Sequence, residues 1–292
     1  MKSSPFLGYW LALTGVLVLS PDALLIRLSG DDPWQINAWR GTLSGLMLLA
    51  YCYIAGGFNL TKALQPAGIP VILGVILATA FSALGFIYGI THANVTDVLV
   101  IIAFAPLLSA LLSALFLHEK VLLRTWIATL VCGIGLAILL SQTNQHSSMG
   151  GWLGAFIAAL GLAAQFVLLR SRPKADLTAA IGLGNILSGF IAMGLASTLA
   201  LHSMPQLLSI LGTALLVIPL SFILFAASLR SITAAETSLI MLIESVLGSF
   251  WVWLFLGELP SLNTLLGGLL VLSTLTIYGL LTLRDHPKAQ AH

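Results

Sequence analysis

The chain alternates long apolar stretches with brief polar interruptions, and the apolar stretches are too long for the core of a soluble fold. Runs of about 20 mostly apolar residues recur from end to end, the length at which an α-helix crosses a hydrocarbon layer of roughly 30 Å. Taking the interruptions as boundaries predicts ten transmembrane helices, at roughly 6–28, 34–55, 67–90, 95–117, 122–141, 151–170, 177–200, 207–229, 235–256 and 262–283. The connections are short, as between neighbouring antiparallel helices, and the longest polar ones fall at about 56–66 and 141–150. Lys2 precedes the first apolar run, which continues to about Leu28 without a small-residue cleavage site. An uncleaved first span is expected there.

A second pattern lies over the first. Leu115-Phe116-Leu117-His118-Glu119 closes one apolar run and Leu254-Phe255-Leu256-Gly257-Glu258 closes another, 258 − 119 = 139 positions later. The same offset pairs Ile101 with Ile240, Leu108 with Leu247, Thr125 with Thr264 and Leu136 with Leu275. Asn94-Val95-Thr96-Asp97 falls on Thr233-Ala234-Ala235-Glu236, each an N-cap residue with an acid three positions on. Near the starts of the halves, Gly8-Tyr9-Trp10-Leu11 matches Gly150-Gly151-Trp152-Leu153 at 150 − 8 = 142. The chain therefore reads as one half-unit duplicated, residues 1–145 and 146–292.

Composition sharpens the class. Hydrophobic residues make up 59% and charged residues 8%, with a mean hydropathy of +1.05, against about 25% charge in soluble domains. The formal net charge of +2 points to no nucleic-acid partner. Cys52 and Cys132 stand alone in apolar runs and read as small buried hydrophobes. With the amino terminus in the cytoplasm, every Lys and Arg except Arg27 and Arg40 lies on the inner side of the membrane. Both termini are then cytoplasmic. Five helices per half is an odd number, so the second half enters the membrane upside down. Inverted repeats of this kind build many secondary transporters, with the substrate site near midplane between the halves. The expected fold is an all-α polytopic membrane protein of ten transmembrane helices in two inverted five-helix repeats, set in the cell membrane.

Two halves that each end in Leu-Phe-Leu-X-Glu followed by a glycine-rich helix resemble the EamA-type transporters of the drug/metabolite transporter superfamily. The match is carried by residues 106–140 and 244–280, and Trp39-Arg40 is similar to the family's arginine on the second helix. The resemblance implies a metabolite exporter or exchanger, often driven by an ion gradient or a counter-substrate. Ser245 follows Glu244 where many relatives carry proline, so the second half is expected to lack the kink that Pro106 gives the first.

Charges within a bilayer are costly and each calls for a reason. Glu244 lies near the middle of the ninth expected span, with no Lys or Arg within a turn, beside a stripe of Ser238, Met241, Ser245, Gly248 and Ser249. It reads as a proton acceptor or a ligand for a substrate amine, or else as a structural carboxyl bonded to a neighbouring helix. Asp22 and Arg40 lie at matching depths on consecutive helices, as a structural ion pair or as a pair that exchanges with a substrate carboxylate. Pro21, Pro106 and Pro219 break helices, a feature that often marks a transport site. Gln165, Asn185 and Tyr88 are polar groups inside helices that either line a cavity or hold helices together. Asp97, Glu236, Glu119 and Glu258 sit at helix ends and read as scaffold.

Enzyme signatures are missing from the sequence. His118-Glu119-Lys120-Val121-Leu122 has Leu where a zinc-protease motif needs its second His, and neither a Gly-x-Ser-x-Gly elbow nor a P-loop occurs. No metal or other cofactor is expected. The function implied is a secondary active transporter that exports or exchanges an amino-acid-like or amine-like metabolite. The alternative is a passive channel or facilitator. Its partners are a small-molecule substrate and the lipid bilayer, as a monomer or a homo-oligomer.

Overall fold

The computed structural model describes residues 5–30, 32–56, 68–117, 123–140, 148–172, 175–200, 203–229, 231–232 and 234–289. Among the described residues every regular element is helical. In chain order these are α1 (Pro5–Leu19), α2 (Asp22–Leu28), α3 (Pro33–Gly56), α4 (Ile69–His92), α5 (Val95–Ile102), α6 (Ala105–Leu117) and α7 (Leu123–Leu140). Then come α8 (Met149–Ser171), α9 (Thr178–Leu195), α10 (Met204–Leu211), a π-turn (Gly212–Val217), α11 (Ile218–Ser228), α12 (Ala234–Leu256) and α13 (Leu262–Ala289). In hydrocarbon each backbone N–H and C=O must find a partner inside the protein, and the helix supplies one locally.

Six stretches among the described residues are long and apolar enough to cross a bilayer: Phe6–Leu28, Ile69–His92, Val95–Phe116, Met149–Ser171, Thr178–Leu195 and Met204–Ser228. Shorter apolar helices cover Trp126–Gly135, Ile243–Leu256 and Leu265–Tyr278. The protein is a multi-pass membrane protein. Its outward faces are apolar, with Phe6, Leu73, Phe81, Leu130 and Leu216 all more than half exposed. Such a surface is stable against lipid and would aggregate in water.

Three of the long stretches are interrupted, each beside a proline. Pro21 cannot donate to the Leu17 carbonyl, and the Ser20 hydroxyl donates to it instead at 2.9 Å. The chain turns there and α2 restarts at Asp22. Between α5 and α6 it turns at Ala103–Phe104, and Pro106 leaves the Ile102 carbonyl without its helical donor. Ahead of Pro219 the helix widens to a π-turn, in which the Ile218 N–H reaches back five residues to Thr213. In contrast α12 runs unbroken through Glu244-Ser245, as expected without a proline.

Two helix pairs cross at backbone contact. A Cβ on Gly85 would lie 2.6 Å from the Gly154 carbonyl, and one on Gly41 would lie 2.8 Å from the Asn185 carbonyl. Only glycine allows α4 against α8 and α3 against α9 at that distance. Gly41, Gly45, Gly85 and Gly154 of the Gly-x-x-x-Gly spacings thus serve packing, whereas a Cβ on Gly150 would meet only side chains, the nearest that of Tyr88 at 3.4 Å. Asn94 caps α5, its side chain accepting from the Thr96 N–H at 3.0 Å. Thr233, Glu119 and Lys120 fall outside the described residues. Two expectations need correction. The helix expected to reach residue 200 stops at Leu195, because Ala196 turns extended and the Leu199 carbonyl is held by the Trp39 indole N–H at 2.9 Å. Cys52 is half-buried, whereas Cys132 is fully buried, and both thiols are free.

Candidate functional site

The interrupted helices meet around a cavity holding about 610 Å³ of empty space. Its wall takes Asp22 from the start of α2, Arg40 from α3, Thr79 and Phe86 from α4, Gln165 from α8, Asn185 from α9 and Glu244 from α12. Much of the remaining wall is apolar, including Leu19, Ile102, Leu162 and Phe222. Few polar groups in a mostly apolar concavity is the usual composition of a small-molecule site.

Arg40 Nη2 donates to Asp22 Oδ2 at 2.6 Å, and the two residues are 5% and 1% exposed. The turn at Pro21 puts Asp22 at the first position of a new helix, where the N-terminal dipole favours its charge. Arg40 is steadied by the Phe86 ring, 5.9 Å from its Cζ. Glu244 is half-buried at the cavity wall, within electrostatic reach of both Asp22 and Arg40. Among the described residues it makes no ion pair. The wall also carries buried polar atoms without partners: Asp22 Oδ1, Arg40 Nε, Thr79 Oγ1, Gln165 Nε2 and Asn185 Nδ2.

A second space of about 340 Å³ adjoins Glu244 on the side of the α5–α6 turn, lined by Ala103, Pro106, Phe166 and Ser245. Ser245 Oγ donates to the Leu99 carbonyl at 3.1 Å and so ties α12 to the end of α5. Glu244 therefore lines both spaces.

Five of the six residues singled out from sequence, Glu244, Asp22, Arg40, Gln165 and Asn185, share the larger cavity. Tyr88 lies elsewhere. Its ring stacks on His92 at 4.1 Å between centroids and tilts against Trp34 at 5.8 Å, near the end of α4. Thr79, Ser82 and Phe86 were not anticipated, since a Thr, a Ser and a Phe in an apolar helix carry no distinguishing signal. Arg27 was not anticipated as a partner for Glu258 either. Gly257, with φ +68°, ends α12 and turns the chain so that Glu258 Oε1 lies 3.2 Å from Arg27 Nε. Arg27 Nη2 also donates to the Ala93 carbonyl at 3.2 Å. Above the cavity the same end is packed by buried Ile26, Ile36, Ile90, Val98 and Val252. Among the described residues no three His, Cys, Asp or Glu side chains gather as a metal site would require.

A multi-pass helical protein with a mostly apolar cavity that carries a few charged and polar groups fits the build of a small-molecule transporter. The EamA-like transporter family matches residues 6–141 and again 149–280, and the chain belongs to that family. It is 25% identical over 243 residues to the S-adenosylmethionine uptake transporter of Rickettsia felis, covering 82% of this chain and 80% of that one. The Rickettsia conorii protein of the same description is 25% identical over 246 residues, covering 82% of this chain and 81% of that one. An uncharacterized transporter of Bacillus subtilis is 28% identical over 170 residues, 56% of each chain. A crystal structure matches with a TM-score of 0.69 at 17% identity over 95% of this chain and 98% of that one, a likeness of fold.

Proposed function

We propose that this chain is a secondary transporter that exports or exchanges a small amino-acid-like or amine-like metabolite by alternating access of its central cavity. The observation that carries the reading is Glu244, a carboxylate without an ion-pair partner among the described residues, on the wall of a cavity that also holds the Asp22–Arg40 pair. Such a group inside a membrane binds a cation or a proton, and its release on the other side completes a cycle. Asp22 and Arg40 gate the site or receive a carboxylate. S-adenosylmethionine, the compound named for the Rickettsia relatives, is an amino acid and belongs to the proposed class.

The layout proposed is ten spans in two inverted halves, 1–145 and 146–292, with both termini in the cytoplasm. Helix pairing supports it. Cys132 on α7 donates to the Val271 carbonyl on α13 at 3.9 Å, and these two positions differ by the repeat offset, 271 − 132 = 139. A residue touching its own repeat mate is what an axis between the halves produces. α3 likewise packs on α9, its counterpart in the other half.

The test is flux into proteoliposomes from a pool of amino acids, polyamines and S-adenosylmethionine, with and without an imposed proton gradient, for wild type and Glu244→Gln. Gradient-driven or exchange-driven accumulation lost in the variant supports the carrier. Flux indifferent to gradients and counter-substrate, and equal in both proteins, selects the passive facilitator instead. Loading on one side or the other reads the direction.

A further inference from the structure

The cavity wall has an uneven charge and hydrogen-bond inventory, and that inventory describes its ligand. Two carboxylates, Asp22 and Glu244, face one guanidinium, Arg40, for a formal balance of one negative charge. Asp22 keeps one oxygen, Oδ1, free of partners after pairing with Arg40. The other unpartnered atoms include three donors, Arg40 Nε, Gln165 Nε2 and Asn185 Nδ2, on residues at most 5% exposed. Buried donors left unpaired are costly, so three on residues that line one cavity favour an acceptor-rich group that reaches them. A carboxylate offers two oxygens and about four lone-pair sites. On the other side Glu244, which makes no ion pair among the described residues, calls for a cation, and beyond it the space at the α5–α6 turn is mostly apolar.

On the reading of this cavity as the substrate site, we infer that it selects an α-amino acid bearing a second cationic centre. The carboxylate lies toward Arg40, Gln165 and Asn185. The two cations meet Asp22 and Glu244. Such a ligand carries one net positive charge, and the loaded cavity becomes neutral. That matters for a carrier, since moving a net charge through hydrocarbon is costly while a neutral complex moves more freely. The second cation is an ammonium, a guanidinium or a sulfonium, and the apolar annexe receives the body that bears it. A plain polyamine lacks the carboxylate, and a neutral amino acid lacks the second charge.

The experiment uses matched compounds with the purified full chain. Binding is read by ligand-induced thermal shift and by counterflow competition in proteoliposomes. One series is arginine, agmatine (no carboxylate) and citrulline (no second cation). The other is S-adenosylmethionine against S-adenosylhomocysteine, which lacks the sulfonium charge. The expected result is that arginine or S-adenosylmethionine binds at least tenfold tighter than every partner in its series. Whichever series responds tells an ammonium-type cation from a sulfonium. Glu244→Gln shifts preference toward citrulline or S-adenosylhomocysteine. Gln165→Leu, which keeps all three charges, weakens arginine relative to agmatine and gives a second variant should the first not fold.

Equal binding of charged and uncharged partners, or no binding by arginine and S-adenosylmethionine, overturns the inference. The two proposals fail separately. Selective binding without flux keeps the ligand class and removes the carrier. Coupled flux of neutral amino acids alone keeps the carrier and removes the ligand class.

Discussion

Neutralising Asp22 tests the electrostatics of the cavity most directly. At 2.6 Å and an effective dielectric of about 20, the attraction between Asp22 and Arg40 is 332/(20 × 2.6), about 6 kcal/mol before desolvation. Removing one partner of a buried pair costs about 3–5 kcal/mol, because the other is left buried and uncompensated. Here the two cases differ. In Asp22→Asn the Arg40 guanidinium still feels Glu244 across the cavity and lies 5.9 Å from the Phe86 ring, so the cost falls at about 3 kcal/mol. In Arg40→Met two carboxylates share the cavity without a cation, and the cost rises to about 5 kcal/mol. The double variant Asp22→Asn/Arg40→Met removes both charges and costs less than either single. The assay is a double-mutant cycle on the denaturant or thermal unfolding of purified protein in one detergent. Additive single effects would show that the two charges do not stabilise each other, and the electrostatic account of the site would fail. A further cycle with Glu244→Gln distinguishes the role of the third charge. Asp22→Asn/Glu244→Gln should be worse than the sum of its parts, since it strands Arg40 entirely.

Three other outcomes follow from the packing and the closed end. Gly85→Val should destabilise by about 1–3 kcal/mol or more, because its Cβ would meet the Gly154 carbonyl at 2.6 Å, whereas Gly133, with nothing within 4 Å, should tolerate alanine. Unfolding of the two variants side by side checks this, and equal losses would contradict the close α4–α8 crossing. Ser245→Ala should lose about 1 kcal/mol with its bond to the Leu99 carbonyl and free the end of α5. Hydrogen exchange at Ile102–Phe104 should then rise, and unchanged exchange would mean that the bond does not hold the turn. Glu258→Gln should raise maleimide labelling of a cysteine placed at Ser20, while the exchanged pair Arg27→Glu/Glu258→Arg should restore protection. Labelling that ignores both variants would show that this ion pair does not close the end of the bundle.

The sequence made the frame legible because its signals are local. Apolar length located the helices, and proline located the interruptions at Ser20–Pro21, Ala103–Phe104 and the π-turn before Pro219. The absence of proline at Ser245 foretold an unbroken α12. Matching depth on consecutive helices was enough to pair Asp22 with Arg40. The site's remaining geometry was not local. Glu258 reaches an arginine 258 − 27 = 231 positions earlier, and nothing near either residue announces the other. Thr79 and Phe86 face the cavity because α4 is rotated by its glycine contact with α8, and Tyr88, two residues beyond Phe86, turns to His92 instead. That rotation is set by packing between the halves of the chain, which periodicity within one helix does not contain.

The polar contacts at the α12 end of the bundle differ in kind from its glycine crossings. Ser245 bonds the Leu99 carbonyl, the Trp251 indole donates to Ser20 Oγ at 3.1 Å, and Glu258 pairs with Arg27. Each contact runs from an unbroken helix to a segment beside a break, and each has an inexpensive substitute in water or in a nearby carbonyl. The pairs α3–α9 and α4–α8 have no such latitude, since their backbones touch and any slide brings a Cα against a carbonyl. Residues of the cavity are drawn from both: Arg40, Gln165 and Asn185 from the glycine-crossed pairs, Glu244 from α12, and Asp22 from α2, bonded to Arg40. Opening the end held by Arg27 and Glu258 would carry Glu244 away from the donors, while Asp22 stays bonded to Arg40. A ligand that bridges donors and carboxylates would hold that end shut, and its charge distribution would decide how long.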